Sequence, residues 1–267
     1  PGVRLAVIEA VVFDLDGILV DSEHVWDDVR QELAAERGGR WHFQTAHYDV
    51  WDYDVAAQPV LFEQASGKAG VITTTKVGHV FLLDRESGKP LFPVEERPVP
   101  QSSIPGEHTA ATQPFPTLPR PLHPHDLAED EIWGLTPIDR KACREQFRKL
   151  KYEGIFTPPG FETTLAYPGL GGGMNWGSAS VNPATNVMIV NSMRVPYTVQ
   201  LRPRAEAAKL DGNDQVGANP QEGTPYIVIR GAYLSPWGTP CIAPPWGLLT
   251  AIDLDSGEVL RGDVISY

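Results

Sequence analysis

The sequence predicts a mainly β chain whose sheets are grouped like propeller blades, preceded by a short α/β strand–helix piece. Three observations carry this. Short β-prone runs recur at Val71–Thr75, Val80–Leu83, Val187–Val190, Tyr226–Ile229 and Leu248–Asp253, each bounded by turn residues. The segment Leu83–Leu91 (LDRESGKPL) is echoed by Ile252–Leu260 (IDLDSGEVL), and repeated strand–turn units suit propeller blades. The 25 glycines and 25 prolines point to turns and long loops rather than to helices.

The first forty residues read differently. Ala10–Phe13 is a continuous apolar run, as in a buried parallel strand. Asp14 and Asp16 follow at its C-terminal end, where open α/β sheets bind ligands. Two acids at i and i+2 leave a strand on one side, so both can reach one metal ion or phosphate. Asp21-Ser22 offers an N-cap, Val25, Val29 and Leu33 share a helical face, and Gly38-Gly39 stops the helix. The plain alternative is a strand–turn–helix with incidental acids. The wording FDLDGILVDSE, Phe13–Glu23, resembles motif I of the haloacid-dehalogenase-like phosphatases. That resemblance implies Asp14 as nucleophile, Asp16 as general acid/base and a Mg²⁺ ion between them, making a phosphatase one expected function. The later motifs of that family have no counterpart downstream.

Between Trp41 and Asp54 the chain gathers Asp49, Asp52 and Asp54 with His42, His47, Tyr48, Tyr53, Trp41 and Trp51. Clustered carboxylates among aromatics suit a site that binds a cation or moves a proton, and if the flanking rings pack on Asp52 they predict a partly desolvated carboxylate with a raised pKa. The bland rival is an aromatic-rich turn with surface acids. The wording HFQTAHYDVWDYD resembles the active-site segment of membrane-type quinoprotein glucose dehydrogenases, which use pyrroloquinoline quinone (PQQ). The likeness continues through Thr75–Gly78, Phe81–Arg85, Glu95–Gln101, Thr112–Phe115, Tyr152–Pro159, Asn175–Gly177 and Ala243–Gly247.

The resemblance covers residues 41–267 and implies a partial β-propeller that oxidises a glucose-type sugar hydroxyl and passes electrons to a quinone acceptor. It implies PQQ with a divalent metal, Ca²⁺ or Mg²⁺, and a place at the periplasmic face of the inner membrane. Asp52 maps onto the catalytic base, Lys76 onto the lysine that holds the quinone oxygens, and Asn191 onto a cofactor-binding asparagine. Asp54, two residues after the base, stands where related lanthanide enzymes have a metal ligand. The structural rivals are a turn lysine for Lys76 and a strand-end cap for Asn191. Family blades end on Trp; Phe92 and Arg261 stand near that place here, which leaves blade docking open.

Residues 93–137 read as a long Pro-rich insertion without regular pattern. His123-Pro124-His125 within it reads as exposed loop rather than a metal pair. Ile138–Tyr152 reads as a helix with a solvated basic face, Val187–Val190 as a strand ending at Asn191, and Leu201–Glu222 as a polar loop. The glycine run Gly169–Gly177 has no GK[ST] and fits turns or the approach to a flat cofactor.

A formal net charge of −12 argues against nucleic acid as a partner. No apolar run is long enough for a transmembrane helix, and Pro1–Arg4 opens no secretory signal. Cys143 and Cys241 can form one bridge in an oxidising compartment or stay as two buried thiols. The abrupt change near Arg40-Trp41 reads as a truncated fusion or a mis-joined frame, so an inactive chimera is a further expectation.

Overall fold

The computed structural model describes residues 41–210, 217–221 and 223–264, with residues 32 and 36. The expected strand–helix piece, with Asp14 and Asp16, lies outside them. In chain order the strands are β1 (Val60–Glu63), β2 (Ala69–Thr74), β3 (Val80–Asp84), β4 (Val94–Pro98), β5 (Thr112–Pro116), β6 (Thr164–Ala166) and β7 (Ala179–Asn182). There follow β8 (Val187–Met193), β9 (Tyr197–Pro203), β10 (Ala218–Pro220), β11 (Tyr226–Ala232), β12 (Gly247–Asp253) and β13 (Val259–Val264). One α-helix, α1 (Pro137–Phe147), is described.

Two antiparallel sheets frame the molecule. The first has the order β1-β2-β3 and the second β13-β12-β8-β7. Their facing sides make one core: Phe62, Ile72, Val80 and Leu82 from the first meet Met188, Val190, Ile252 and Leu254 from the second. The first sheet is covered on its other face as well, with Phe43 against Phe81 at 5.2 Å between ring centroids. Two-sided burial explains why β2 and β3 read as continuous apolar runs rather than alternations. On β8 the burial alternates: Met188, Val190 and Ser192 point inward, while Ile189 and Met193 are exposed.

The repeat in the sequence is a repeat in space. Asp84 Oδ1 accepts hydrogen bonds from Glu86 N, Ser87 N and Ser87 Oγ; Asp253 Oδ1 accepts the same three from Asp255 N, Ser256 N and Ser256 Oγ. Those bonds, led by the two serines, hold both carboxyls below their ordinary value. Each turn closes on a glycine at positive φ, Gly88 at 70° and Gly257 at 73°. A Cβ on Gly88 would meet Trp41, and one on Gly257 would meet Phe92 and Leu118. Trp41 also donates from Nε1 to Arg85 O at 3.0 Å. An aromatic thus packs on each turn glycine, Trp41 on Gly88 and Phe92 on Gly257.

The 93–137 insertion is structured, because β4 and β5 pair as a hairpin within it. Two sequence expectations are corrected. The strand at 187 does not end at Asn191; β8 runs to Met193 because Ser192 and Met193 pair with Leu248 and Gly247. The stretch after Leu201 is not all loop, since β9 reaches Pro203 and pairs with β11 before a 3-10 turn at Arg204–Lys209.

Three strands between β8 and β12, joined by β6 from before β7, make a third antiparallel sheet, order β10-β11-β9-β6. Beside it α1 begins at Thr136, whose side chain accepts from Asp139 N at 3.2 Å, with Pro137 in the first turn. A disulfide joins Cys143 on α1 to Cys241 with Cα atoms 5.6 Å apart, resolving the open reading of the two cysteines. Tyr233 Oη donates to Cys143 O beside it, within a cluster of Leu127, Ile132, Leu165, Tyr167 and Ile242. No helix among the described residues is long and apolar enough to cross a membrane.

Candidate active site

The loop Asp49–Asp54 is folded by its first carboxylate. Buried Asp49 accepts from Trp51 N at Oδ1 (2.9 Å) and from Tyr53 N at Oδ2 (2.7 Å). This sends both rings inward: Trp51 is 4% and Tyr53 2% exposed, each edge-on to Phe156. Tyr53 Oη donates to Ile155 O at 2.8 Å, which anchors the loop to a distant segment. The residue between the rings therefore faces the other way. Asp52 sits at φ 65°, a conformation that costs a non-glycine residue about 1–3 kcal/mol and is seen at functional loops.

The rings flanking Asp52 turn into the core, so the partial burial of its carboxylate is not their doing. Its side chain is 37% exposed, and its contact is a charge: Lys76 Nζ lies 3.0 Å from Asp52 Oδ1. Asp54 Oδ1 pairs with the same ammonium, and Lys76 N donates to Asp54 O at 3.2 Å. Lys76 is 13% exposed. Burial by itself lowers its pKa, but hydrogen bonds and charge from Asp54 and Asp52 outweigh it and hold the pKa above the usual lysine value. Lys76 is therefore a cation throughout the neutral range, set between two carboxylates.

Lys76 stands on the tight turn between β2 and β3. Gly78 N donates to Thr75 O at 3.0 Å, and Thr75 N to His79 O at 3.1 Å. Beside the turn runs the glycine segment from Gly169. A Cβ on Gly172 would strike Lys76 Cγ, and Gly173 N donates to Lys76 O at 2.5 Å. The same segment reaches β8, where Met193 N donates to Gly173 O at 2.7 Å. Asn191 lies at its far end, its Oδ1 against the bare Cα of Gly177. Asn175 stiffens the ribbon, donating from Nδ2 to Gly171 O and accepting from Trp176 N. So Lys76 is in direct contact with Asp52 and Asp54, while Asn191 touches Gly177, at the other end of the glycine segment that packs on Lys76.

Sequence reading missed two supports. Asp49 was visible only as an acid in a cluster, although Asp-x-x-x before a turn is the signal for a side chain that caps its own backbone. His79 gave no signal. It is fully buried among Phe81, Phe115 and Phe156, and its Nε2 is 3.1 Å from Nε2 of His125. The exposed-loop reading of His123-Pro124-His125 is corrected accordingly: His123 is buried edge-on to Tyr167, because it packs under Gly78.

Comparison with known proteins bears on this geometry. The family model of the PQQ glucose/ethanol/alcohol dehydrogenase β-propeller domain matches residues 33–263. The chain is 42% identical over 235 residues to quinoprotein glucose dehydrogenase A of Acinetobacter calcoaceticus, covering 82% of this chain and 29% of that protein. It is 41% identical over 232 residues to quinoprotein glucose dehydrogenase of Escherichia coli (strain K12), again 82% and 29%. It is 40% identical over 239 residues to the glycerol dehydrogenase large subunit of Gluconobacter oxydans (strain 621H), covering 82% and 32%. The chain spans about a third or less of the length of these relatives.

Proposed function

The chain belongs to the PQQ-dependent glucose/ethanol/alcohol dehydrogenase β-propeller family, and from that premise we propose that it carries one half of the active site of a sugar dehydrogenase. The observation that carries this reading is the contact of Lys76 with Asp52 and Asp54. A flat anionic cofactor needs a fixed cation, which Lys76 supplies, and the bare glycines at 172 and 173 let the backbone close on the Lys76 turn. Lys76 and Asn191 would hold the quinone end of PQQ, which supplies a two-electron sink when bound.

In this reading Asp52 takes the proton of the substrate hydroxyl as hydride leaves its carbon. Lys76 stabilises the negative charge that develops on the acceptor oxygen. Asp54 shares the ammonium, so Asp52 is not its sole counter-ion. No group of three or more His, Cys, Asp or Glu among the described residues could hold a Ca²⁺ or Mg²⁺ ion, and Asp52 and Asp54 are engaged by Lys76, so the described residues offer at most part of a metal's ligand set. No step is therefore routed through a metal.

A glucose-type sugar as substrate is favoured by the two glucose dehydrogenases named above, and a quinone as electron acceptor by the family resemblance alone. The periplasmic face of the inner membrane is supported by the resemblance and by a buried disulfide, which suits an oxidising compartment. We keep residues 1–40 as a separate haloacid-dehalogenase-like segment and 41–267 as the quinoprotein part. A phosphatase reading rests on Asp14 and Asp16 alone, outside the described residues.

The test is PQQ binding, and reduction of an artificial electron acceptor, by the purified chain with glucose, PQQ and Ca²⁺. Weak, saturable PQQ binding with little or no glucose-dependent reduction, as suits a chain that carries half the site, is the expected result. Absence of PQQ binding contradicts the reading, and tight PQQ binding with glucose oxidation by this chain alone contradicts the half-site.

A further inference from the structure

Segment Leu122–His125 lies across the Lys76 turn and touches it three times. Leu122 N donates to Gly78 O at 3.0 Å. His123 Cβ packs so closely on Gly78 that a Cβ there would lie 2.5 Å away. Nε2 of His125 and of His79 are 3.1 Å apart, so one ring donates and the other accepts. The same segment is tied to its surroundings. Its Leu122 carbonyl accepts from Arg194 at 3.5 Å, and its His125 ring packs edge-on against Phe115.

We propose that His79 and His125 are positioning residues: their imidazole–imidazole hydrogen bond clamps the β2–β3 turn and thereby sets Lys76 at Asp52 and Asp54. The tip of the turn is held by Lys76 N on Asp54 O and by Gly173 N on Lys76 O, and the histidine pair adds a hold at its C-terminal end. Two of its residues, Lys76 and Val77, make no cross-strand pair, since the ladder between β2 and β3 stops at Thr74 and Val80. His79 closes the turn from both sides. Its backbone bonds Thr75, with His79 N donating to Thr75 Oγ1 at 3.2 Å, and its ring bonds His125. A shift of the ring moves the backbone three residues from Lys76. Both rings stand in an aromatic box, where loss of the partner leaves a buried nitrogen without a hydrogen bond. That penalty is what makes the clamp two-sided rather than a passive contact.

The proposal rests on Lys76 as the cofactor's cation, but its test does not use the cofactor. Acetylation of lysines by a water-soluble acylating reagent is followed site by site by mass spectrometry on the purified chain. Lys141, whose side chain is 78% exposed, serves as internal reference. His125→Phe keeps the ring packing and removes the hydrogen bond; His125→Gln restores a nitrogen donor. Lys76 acetylation relative to Lys141 is expected to rise about tenfold in His125→Phe, the scale of one lost buried hydrogen bond. It is expected to return most of the way to the wild-type rate in His125→Gln. A folded His125→Phe chain with an unchanged Lys76 ratio overturns the proposal, as does a ratio that His125→Gln leaves as high as His125→Phe does.

If His125→Phe does not fold, amide exchange on the wild-type chain decides. The amides of Gly78 and Leu122 are expected to be as protected as the β2–β3 ladder, and fast exchange at both overturns the proposal. Absence of PQQ binding in every variant, with the acetylation pattern as expected, would count against the dehydrogenase reading and leave the clamp standing.

Discussion

Lys76 Nζ lies 3.0 Å from Asp52 Oδ1 although the rings on either side of Asp52 point into the core. The loop is folded so that aromatic burial and charge presentation occur on alternate residues. Asp49 makes that alternation by holding the amides of Trp51 and Tyr53. The functional charge pair is thus a consequence of a local backbone device, and each support of it is open to measurement.

Asp49→Ala removes a buried carboxylate that accepts two backbone hydrogen bonds. The expected loss is about 2–4 kcal/mol, since hydrogen bonds to a charged acceptor contribute about 1.5–3 kcal/mol each and loop relaxation recovers part. Urea unfolding gives the magnitude. A red shift of Trp51 emission in the folded variant gives the cause, and an unshifted spectrum would show that Asp49 does not orient the loop.

Gly88→Ala puts a Cβ into the ring of Trp41 at φ 70° and is expected to destabilise by about 2–4 kcal/mol, strain and steric clash together. Gly67→Ala, at φ 81° but with nothing within 4 Å of its Cβ, carries only the backbone cost, about 1 kcal/mol. Equal losses in the two variants would mean that the aromatic seal on the repeated turn contributes nothing.

Acid should weaken the fold through its histidines. Burial lowers the pKa of His79 well below 6.5, and His125 and Arg97 charges push it the same way, against a backbone hydrogen bond to Pro114 and with a smaller push from His123. Burial and Arg97 lower His125, with Asp126 opposing. Burial brings His123 down to about 3, with Arg194 and His125 pushing the same way and a Pro124 hydrogen bond opposing. Each ring is neutral when folded and binds a proton more readily when unfolded. Their contribution is therefore constant above the ordinary value of 6.5 and is lost as pH falls below it. Urea midpoints taken from pH 8 to 5 should decline below about pH 6.5, and less steeply in His123→Phe.

Reducing the Cys143–Cys241 bridge, which closes a sequence separation of 98 residues, should cost about 2–5 kcal/mol. Thermal unfolding with and without a phosphine reductant measures it, with Cys143→Ser/Cys241→Ser as the permanent counterpart. A melting temperature insensitive to both would show that α1 is held by its apolar cluster alone.

Much of the fold was legible because local patterns agree with it. Val71–Thr74 and Val80–Leu83 announce strands buried on both faces, and the Asp-x-x-Ser-Gly turns repeat in sequence as they do in space. The hairpin of β4 and β5 was not legible. Val94–Pro98 is largely exposed, charged and ends on proline, so neither alternation nor apolar content marks it. The end of β8 was hidden because Asn191 and Ser192 are polar while their ladder partners, Leu249 and Leu248, come from a distant segment. In the site, Asp52 and Lys76 were found by wording, whereas His79 and His125 were not, because 46 residues separate rings that meet only after folding. Long-range polar pairs leave no periodic trace in a single sequence.

Lys76 as the cation that holds the cofactor is tested by PQQ titration of the wild-type chain and Lys76→Ala, followed by tryptophan fluorescence. Weak but saturable binding by the wild type is expected, and at least about tenfold weaker binding in Lys76→Ala, the loss of one charge-assisted contact. Equal binding by both chains would contradict it.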